Sequence, residues 1–220
     1  MPRPKSPQVT ILEGRWFPRK NVSLRDLFLP LFTVWTPDGD GAHHYEMFTN
    51  AASFIDAIKH AFSGGRPQTI YIAAHGSTTG IQGFHDEGIS RAMIRNAFRK
   101  AKNSQRRRGV YFGSCLFGTR RNAEFILREC PRVAWIVGYT SSVDWIDSSV
   151  IDLFFLRHYL FPEPGRGRAR PITHAARLKY AVAQVRDKMH ELAFSTGFHA
   201  YVRVRGPGGG IRDIFLEGSA

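Results

Sequence analysis

The sequence predicts a single α/β domain, a three-layer sandwich with a mainly parallel central sheet and helices on both faces. Short, continuous apolar runs of about five residues alternate along the chain with longer segments in which apolar residues recur every three or four positions. The runs are typical of strands buried on both faces, and the periodic segments are typical of amphipathic helices. Such alternation indicates parallel strands joined by helical crossovers. The length of 220 residues fits one domain of this kind.

Apolar residues make up 43% of the chain and charged residues 22%, a balance that excludes wholesale disorder. There is no stretch of about 18 uncharged apolar residues, so no membrane span is expected. The first residues carry proline and charge where a secretory signal needs an apolar core, which predicts a cytoplasmic protein. With only Cys115 and Cys130, a disulfide scaffold and a zinc ribbon are excluded, and no metal or organic cofactor is expected.

The charge balance is strongly basic, with 31 Lys and Arg against 18 Asp and Glu and a net charge of +13. Such an excess attracts acidic partners, nucleic acid included, through long-range forces. The cations gather in residues 15–25, 99–108 and 166–170. No aromatic residue lies within residues 100–108, so the stacking platform of a single-strand binder is missing there. A solvated basic face is therefore the simpler interpretation.

Residues 1–25 are rich in proline and arginine, which predicts a basic N-terminal arm ahead of a single domain over residues 26–220. The apolar run at residues 27–35 predicts a strand, in which Pro30 favours a bulge or an edge position. Buried strands are predicted over residues 69–74, 109–113 and 133–137. Residues 198–205 and 211–216 flank a glycine-rich segment and predict a terminal hairpin or two edge strands.

Helices are predicted where apolar residues recur on one face, over residues 50–62, 90–102, 120–128, 147–160 and 172–194. Asn50 and an aspartate at residue 147 are suited to cap the first and the fourth of these helices. Pro171 suits the start of the last one. The basic segment at residues 162–171 is predicted to be a loop.

His75 and Cys115 each stand immediately after a predicted buried strand. In sheets of this type ligands bind beyond the carboxyl ends of the strands, so both side chains are predicted at the same edge. A thiol is a nucleophile as thiolate, and a neighbouring imidazole can take its proton. Gly76 permits a sharp turn after His75, and backbone N–H groups around Gly76 and Ser114-Cys115 are candidates for an oxyanion hole.

The order of apolar strand, His-Gly, spacer, apolar strand, small residue and Cys, at residues 70–76 and 110–118, resembles the caspase-like cysteine peptidases of clan CD. The Cys-x-x-Gly from Cys115 to Gly118 is similar to the CHAT-type bacterial enzymes. The resemblance covers about residues 31–160. It implies a caspase-like fold and a cysteine endopeptidase that cleaves protein substrates without a cofactor, with His75 as general base and Cys115 as nucleophile. Gly113-Ser114 departs from the family, where many members carry an acidic or amide residue and then alanine.

The resemblance also implies a substrate pocket and a mode of control. Relatives that prefer Arg or Lys carry an acidic residue shortly after the third strand, which here would be Asp144, with Trp145 as the pocket wall. The alternative is that Asp147 caps a helix and Asp144 pairs with an arginine. Caspase-like proteins are often inactive until cleavage or partner binding, so a regulatory protein partner is expected. By analogy, the chain would be an effector of bacterial stress or antiviral defence.

Two other functions stay open at this point. Residues 115–121 also satisfy Cys-x5-Arg, the spacing of cysteine-dependent phosphatases, with Arg121 as the phosphate ligand. Against this, Ser114 replaces the usual His before the cysteine, and Asn122 replaces the hydroxyl residue after the arginine. A non-enzymatic nucleic-acid-binding module is the second alternative, although no known nucleic-acid motif accompanies the basic tracts. Three histidines are interpreted as loop residues rather than metal ligands: His43, His44 and His85.

Overall fold

A seven-stranded, mostly parallel sheet forms the middle layer, and helices cover both of its faces. The computed structural model describes residues 9–16, 23–35, 43–63, 69–84, 87–101, 107–163, 173–204 and 210–218. The strands are β1 (Val9–Gly14), β2 (His43–Phe48), β3 (Thr69–Ala73), β4 (Gly76–Ser77), β5 (Gly80–Gln82), β6 (Gly88–Ser90), β7 (Arg108–Gly113), β8 (Val133–Tyr139), β9 (Phe198–Arg203) and β10 (Ile211–Asp213). The helices are α1 (Leu24–Trp35), α2 (Ala51–Ser63), α3 (Arg91–Lys100), α4 (Arg120–Glu129), α5 (Trp145–Leu160), α6 (His174–Lys188) and α7 (His190–Ser195).

The strand order in the main sheet is β10-β9-β8-β7-β3-β1-β2. Neighbours from β8 to β2 are parallel, whereas β9 runs antiparallel to β8, and β10 runs antiparallel to β9. A second sheet of three short antiparallel strands, β4-β5-β6, follows β3 along the chain. The predicted three-layer α/β sandwich and the terminal hairpin of β9 and β10 are therefore confirmed.

Two apolar cores lie on opposite faces of the sheet, because successive residues of a strand point to opposite sides. In β3, Ile70 and Ile72 belong to one core, while Tyr71 and Ala73 belong to the other. The first core is covered by α2, α3 and α4, and the second by α1, α5, α6 and α7. Burial on both faces explains why this strand is encoded as a continuous apolar run.

Side-chain caps set two of the helix starts where the sequence predicts them. Asn50 caps α2 by accepting a hydrogen bond from the Ser53 N–H at 2.9 Å. Ser90 caps α3 by accepting one from the Met93 N–H at 3.3 Å. The predicted strands over residues 69–74, 109–113 and 133–137, and the helices over residues 50–62, 90–102 and 120–128, are confirmed with shifts of one or two residues at their ends.

The strand predicted over residues 27–35 is wrong, because this segment belongs to helix α1. Leu24 and Phe28 are buried one helical turn apart, a spacing that a helix places on one face. The Leu24 N–H donates to the buried carboxylate of Glu13 at 2.8 Å, so β1 supplies a cap for the helix start. Pro30 lies inside the helix and removes one backbone donor. Burial of one helical face in the second core and the cap from β1 together favour a helix over the predicted strand.

The basic arm predicted over residues 1–25 also needs correction. Val9–Gly14 form β1, which is buried along its whole length and lies between β3 and β2. A segment paired on both sides within the sheet belongs to the domain, so the boundary at residue 26 is wrong. Residues 1–8 and 17–22 of the predicted arm lie outside the described residues.

Two further helix predictions change at their ends. The helix predicted over residues 172–194 is two helices, α6 and α7, which separate at Met189, where a φ of −133° leaves the helical range. The helix predicted from residue 147 begins at Trp145, and its cap is Asp144 rather than Asp147.

The predicted loop at residues 162–171 lies almost wholly outside the described residues. In the ranges that the structure describes, every helix is too short or too polar to cross a membrane.

A buried carboxylate ties three neighbouring strands to helix α5. Asp152 is 1% exposed and accepts hydrogen bonds from Tyr71 on β3 at 2.5 Å and from Tyr139 on β8 at 2.6 Å. Tyr111 on β7 joins them, with its hydroxyl 2.9 Å from that of Tyr139. Burial raises the pKa of Asp152 to about 6, and the hydrogen bonds from the tyrosines partly offset that rise. The network couples the strands that precede His75 and Cys115 to one helix.

The raised pKa predicts how this network affects stability at different pH values. Because the folded protein binds the Asp152 proton more tightly than an unfolded chain, this contribution to stability is present below about pH 4. It is lost as the pH rises through about 6. Between about pH 4 and 7, we expect the free energy of unfolding of the wild type to fall by on the order of 3 kcal/mol relative to Asp152→Asn.

Urea unfolding of both proteins at the two pH values measures this difference. Asp187→Asn serves as the control, because the Asp187 side chain is 59% exposed and should leave the pH dependence unchanged. A wild type and an Asp152→Asn variant with parallel pH profiles would contradict the assignment.

Candidate active site

The two strands that precede His75 and Cys115 lie side by side and end level with each other. In the parallel pairing of β3 with β7, Ala73 lies opposite Gly113. His75 and Cys115 each stand two residues beyond this last pair. The structure therefore places both residues at the same edge of the sheet, as the sequence predicts.

The two loops that follow these strands contact each other through their backbones. A Cβ atom built on Gly76 would lie 2.3 Å from the Cys115 carbonyl oxygen and 3.2 Å from the Cys115 nitrogen. Real Cβ atoms do not approach backbone atoms this closely, so only glycine fits at residue 76 without movement. The loop after His75 thus packs directly on the backbone of Cys115.

Cys115 is half-buried and lies against the loop between β8 and α5. Its Sγ is 3.5 Å from the Val143 nitrogen, which donates to it, and 3.7 Å from the Val143 carbonyl oxygen. The next residue, Leu116, has a φ of +60°, which non-glycine residues rarely adopt. The Leu116 N–H donates to Ser141 O at 3.1 Å and holds this conformation. Backbone strain of this kind costs on the order of 1 kcal/mol and is frequent at functional sites.

His75 is exposed, and its ring is oriented by Trp16 at the end of β1. Its Nε2 lies 3.1 Å from the Trp16 carbonyl oxygen, and the two rings meet edge to face with centroids 5.1 Å apart. Because a carbonyl can only accept, Nε2 carries the proton in this contact. In a neutral imidazole, Nδ1 is then the nitrogen that can accept a proton.

Trp16 is in turn held by the buried carboxylate of Glu13. Glu13 is fully buried, and its Oε1 accepts from the Trp16 indole N–H at 2.6 Å and from Leu24 N–H at 2.8 Å. Its Oε2 accepts from Ser23 Oγ at 2.7 Å and from the Tyr45 hydroxyl at 2.5 Å. Sequence reasoning missed this support for His75, because residues 1–25 were predicted to be an arm. The buried glutamate within the run at residues 9–14 is the signal that points to it.

The backbone groups predicted for the oxyanion hole lie where the two loops meet. Within the described ranges, the Cys115 N–H has no hydrogen-bond acceptor, so it is available to a ligand oxygen. Gly76 packs against the same peptide. Ser114 is 2% exposed, and its hydroxyl makes no hydrogen bond in the described part of the chain. The hydroxyl is buried below the site, so only the backbone of Ser114 is a candidate for this role.

The two residues predicted to form the substrate pocket directly follow Val143, the residue that contacts the thiol. Asp144 is exposed and caps α5, with Oδ1 accepting from Ile146 N–H at 2.7 Å and Asp147 N–H at 3.3 Å. Asp144 therefore has the capping role that was considered for Asp147, and within the described ranges no arginine pairs with it. Trp145 is half-buried, and its indole N–H has no acceptor among the residues described. Asp144 follows Val143, whose backbone contacts Cys115 Sγ, so the cap of α5 lies one residue beyond the contact with the thiol.

The second cysteine differs from Cys115 in environment. Cys130 is 1% exposed, at the end of α4, and burial raises the pKa of its thiol to about 11. A thiol with such a pKa is almost entirely protonated at neutral pH and reacts slowly. Cys130 is therefore an internal reference for any reaction at Cys115.

The geometry of the loop after Cys115 disfavours the phosphatase alternative. A phosphate loop directs its backbone N–H groups at the anion. Here the Gly118 N–H donates to the carbonyl oxygen of Tyr139, the last residue of β8, at 2.8 Å, and the Leu116 N–H donates to Ser141 just beyond that strand at 3.1 Å. Arg121 instead lines a groove between α3 and α4. Among the described residues, no group of three or more His, Cys, Asp or Glu side chains could hold a metal ion. His43 and His44 lie in β2, so their interpretation as loop residues is wrong, and His85 lies outside the described residues.

Comparisons with known proteins add no family assignment. No family model and no curated protein matches the chain. Among solved structures, it is similar to a mitochondrial aspartate aminotransferase from Trypanosoma brucei, with a TM-score of 0.28 and 8% identity. That match covers 86% of this chain and 51% of the other, so the chain spans about half the length of the aminotransferase. A likeness of this strength carries no argument about fold or function.

The backbone contact at Gly76 predicts that Gly76→Ala and Gly88→Ala differ sharply in their effect on the free energy of unfolding. Gly76→Ala places a methyl group against the Cys115 backbone, so we expect a loss of about 1–3 kcal/mol in the free energy of unfolding. Gly88→Ala is the matched control, because a Cβ there has nothing within 4 Å. Its effect should stay within about 0.5 kcal/mol. Urea unfolding measures both, and equal losses would argue against the close approach at Gly76.

Proposed function

We propose that this protein is a cysteine endopeptidase in which Cys115 and His75 form a catalytic dyad. The observation that carries the proposal is the matched placement of the two residues, each two positions beyond paired residues of adjacent parallel strands. The half-buried thiol and the Trp16 contact with His75 add to it, as does a Cys115 N–H that has no acceptor within the described ranges. The resemblance to caspase-like peptidases in the order of these residues points to the same chemistry.

The proposed reaction uses only groups of this chain and water. Cys115 Sγ attacks the carbonyl carbon of the scissile peptide, and its proton passes to Nδ1 of His75. The Cys115 N–H donates to the oxyanion of the tetrahedral intermediate. His75 returns the proton to the leaving amine, which leaves a thioester on Cys115. His75 then takes a proton from the attacking water, and hydrolysis releases the acid and restores the thiol.

The same site offers a basis for preference at the residue before the scissile bond. Asp144 lies beside the loop that contacts the thiol, and a carboxylate complements a substrate Arg or Lys. The cap of α5 uses Oδ1 of this carboxylate. We propose Asp144 as the charge that selects a basic residue, with the half-buried Trp145 as the wall of the pocket.

A regulatory partner is also part of the proposal. Helices α3 and α4 carry seven cationic side chains against two carboxylates, and a groove of about 550 Å³ lies between them. Each carboxylate is shared by two arginines, Glu124 by Arg120 and Arg128, and Glu129 by Arg95 and Arg99. The remaining positive charge suits an acidic partner, and this groove is also what favours the nucleic-acid-binding alternative. A cytoplasmic role in bacterial stress or antiviral defence rests on the caspase-like analogy alone.

A peptide library derived from a digested proteome tests the proposed activity and its preference together. With the wild type, we expect new cleavage sites that carry Arg or Lys before the scissile bond, identified by mass spectrometry. Cys115→Ala should remove all of them, because the nucleophile is lost, and His75→Ala should lower the cleavage rate at least about a hundredfold. Asp144→Asn keeps the helix cap but loses the charge, so it should abolish the basic preference.

Cys130→Ala is the control for the loss of a thiol, and it should cleave like the wild type. Cleavage that persists in Cys115→Ala would exclude this cysteine as the nucleophile. Cleavage with the same basic preference in Asp144→Asn would keep the dyad but remove Asp144 from the pocket.

A further inference from the structure

One buried amide connects the two loops of the candidate site. Asn122 lies in the first turn of α4 and is 1% exposed. Its Nδ2 donates to the Thr78 carbonyl oxygen and to the Phe117 carbonyl oxygen, each at 3.0 Å. Its Oδ1 accepts from the Arg91 guanidinium at 3.4 Å. Both the nitrogen and the oxygen of this amide therefore bind groups that lie outside α4.

The two carbonyl groups belong to the segments that carry the dyad. Thr78 is in the turn between β4 and β5, a hairpin that begins directly after His75. Phe117 is two residues beyond Cys115, and its ring packs on Phe112 of β7 with centroids 4.6 Å apart. Asn122 therefore joins the loop of the general base to the loop of the nucleophile. Its two contacts lie two residues beyond Gly76 in the first loop and two residues beyond Cys115 in the second.

The chemistry of this position requires a side chain with two donors. Two carbonyl oxygens converge on Nδ2, and an NH₂ group can supply one N–H to each. An aspartate of the same shape would present only acceptors and would face both oxygens with negative charge. A buried carbonyl that loses its donor costs about 1–3 kcal/mol unless it moves to water. Both loops would therefore shift if the amide were replaced by a carboxylate.

We propose that Asn122 is a positioning residue that sets the distance between His75 and Cys115 by clamping their loops together. The inference rests on the proposed dyad and extends it to a residue that touches neither reacting group. It also gives Asn122 a role that the Cys-x5-Arg interpretation of residues 115–121 does not provide. Loss of the clamp separates the loops and leaves the fold of the sheet in place.

The test measures how strongly the reactivity of Cys115 depends on His75, with and without the clamp. Iodoacetamide is the probe, and peptide mass spectrometry gives the alkylation rate of Cys115 at about pH 7, with Cys130 as reference in the same sample. In the wild-type background, His75→Ala should slow Cys115 at least about tenfold. In Asn122→Asp, the rate should already be low, and adding His75→Ala should change it by less than about twofold.

Two matched variants separate positioning from general stability. Asn96→Asp makes the same chemical change on α3, where the described hydrogen bonds of Asn96 are two that it accepts from Arg95, and it should leave the dependence on His75 intact. Arg91→Gln removes the guanidinium contact but spares both Nδ2 bonds, and it should also behave like the wild type. In Asn122→Asp, the new carboxylate lies near Arg91 at a helix N-terminus, which offsets part of the loss in stability. Its melting temperature should therefore fall by on the order of 10 °C.

The outcomes distinguish this proposal from the proposed function. A tenfold dependence on His75 that survives in folded Asn122→Asp would overturn the clamp and leave the dyad standing. A wild type in which His75→Ala has no effect would overturn the dyad, and the clamp with it. If Asn122→Asp does not fold, Asn122→Ser, which keeps one donor, replaces it; full dependence on His75 in that variant would likewise overturn the clamp.

Discussion

The parallel pairing of β3 with β7 is the constraint on which the rest of the site depends. Ala73 and Gly113 are the last residues of this pairing, so both strands end at the same level of the sheet. Register in a sheet buried on both faces is strongly specified, since a shift of one residue would move every apolar side chain into the wrong core. The position of His75 relative to Cys115 therefore follows from the packing of two cores, before any contact between the loops is considered.

Three buried polar side chains reinforce that arrangement, and each joins elements that are distant in sequence. Asp152 links the strands beneath the site to α5, Glu13 orients the tryptophan that contacts His75, and Asn122 bridges the two loops. Buried polar groups stabilise one specific arrangement when all of their partners are in place, and they are costly otherwise. The geometry of the site is held by directional bonds in addition to close packing.

Much of the fold could be predicted from the sequence, because continuous apolar runs in β3, β7 and β8 indicate strands that are buried on both faces. Strand β1 was missed, since its apolar run is short and lies within a segment rich in proline and arginine. Helix α1 was predicted to be a strand, because its capping carboxylate comes from Glu13 and its helical face is hidden in an unbroken apolar run. The positions of His75 and Cys115 could be predicted from strand ends alone. The roles of Trp16 and Asn122 could not, because hydrogen bonds between distant residues leave no local pattern.

Chemical cross-linking of the Cys115 and His75 side chains tests the proposed dyad most directly. The reagent 1,3-dibromoacetone alkylates a thiol with one end and then a neighbouring imidazole with the other. We expect one cross-linked pair of peptides, joined through Cys115 and His75, with Cys130 unmodified because it is buried and protonated. A Cys115 that is alkylated only at one end, while His75 stays unmodified under the same conditions, would contradict the dyad.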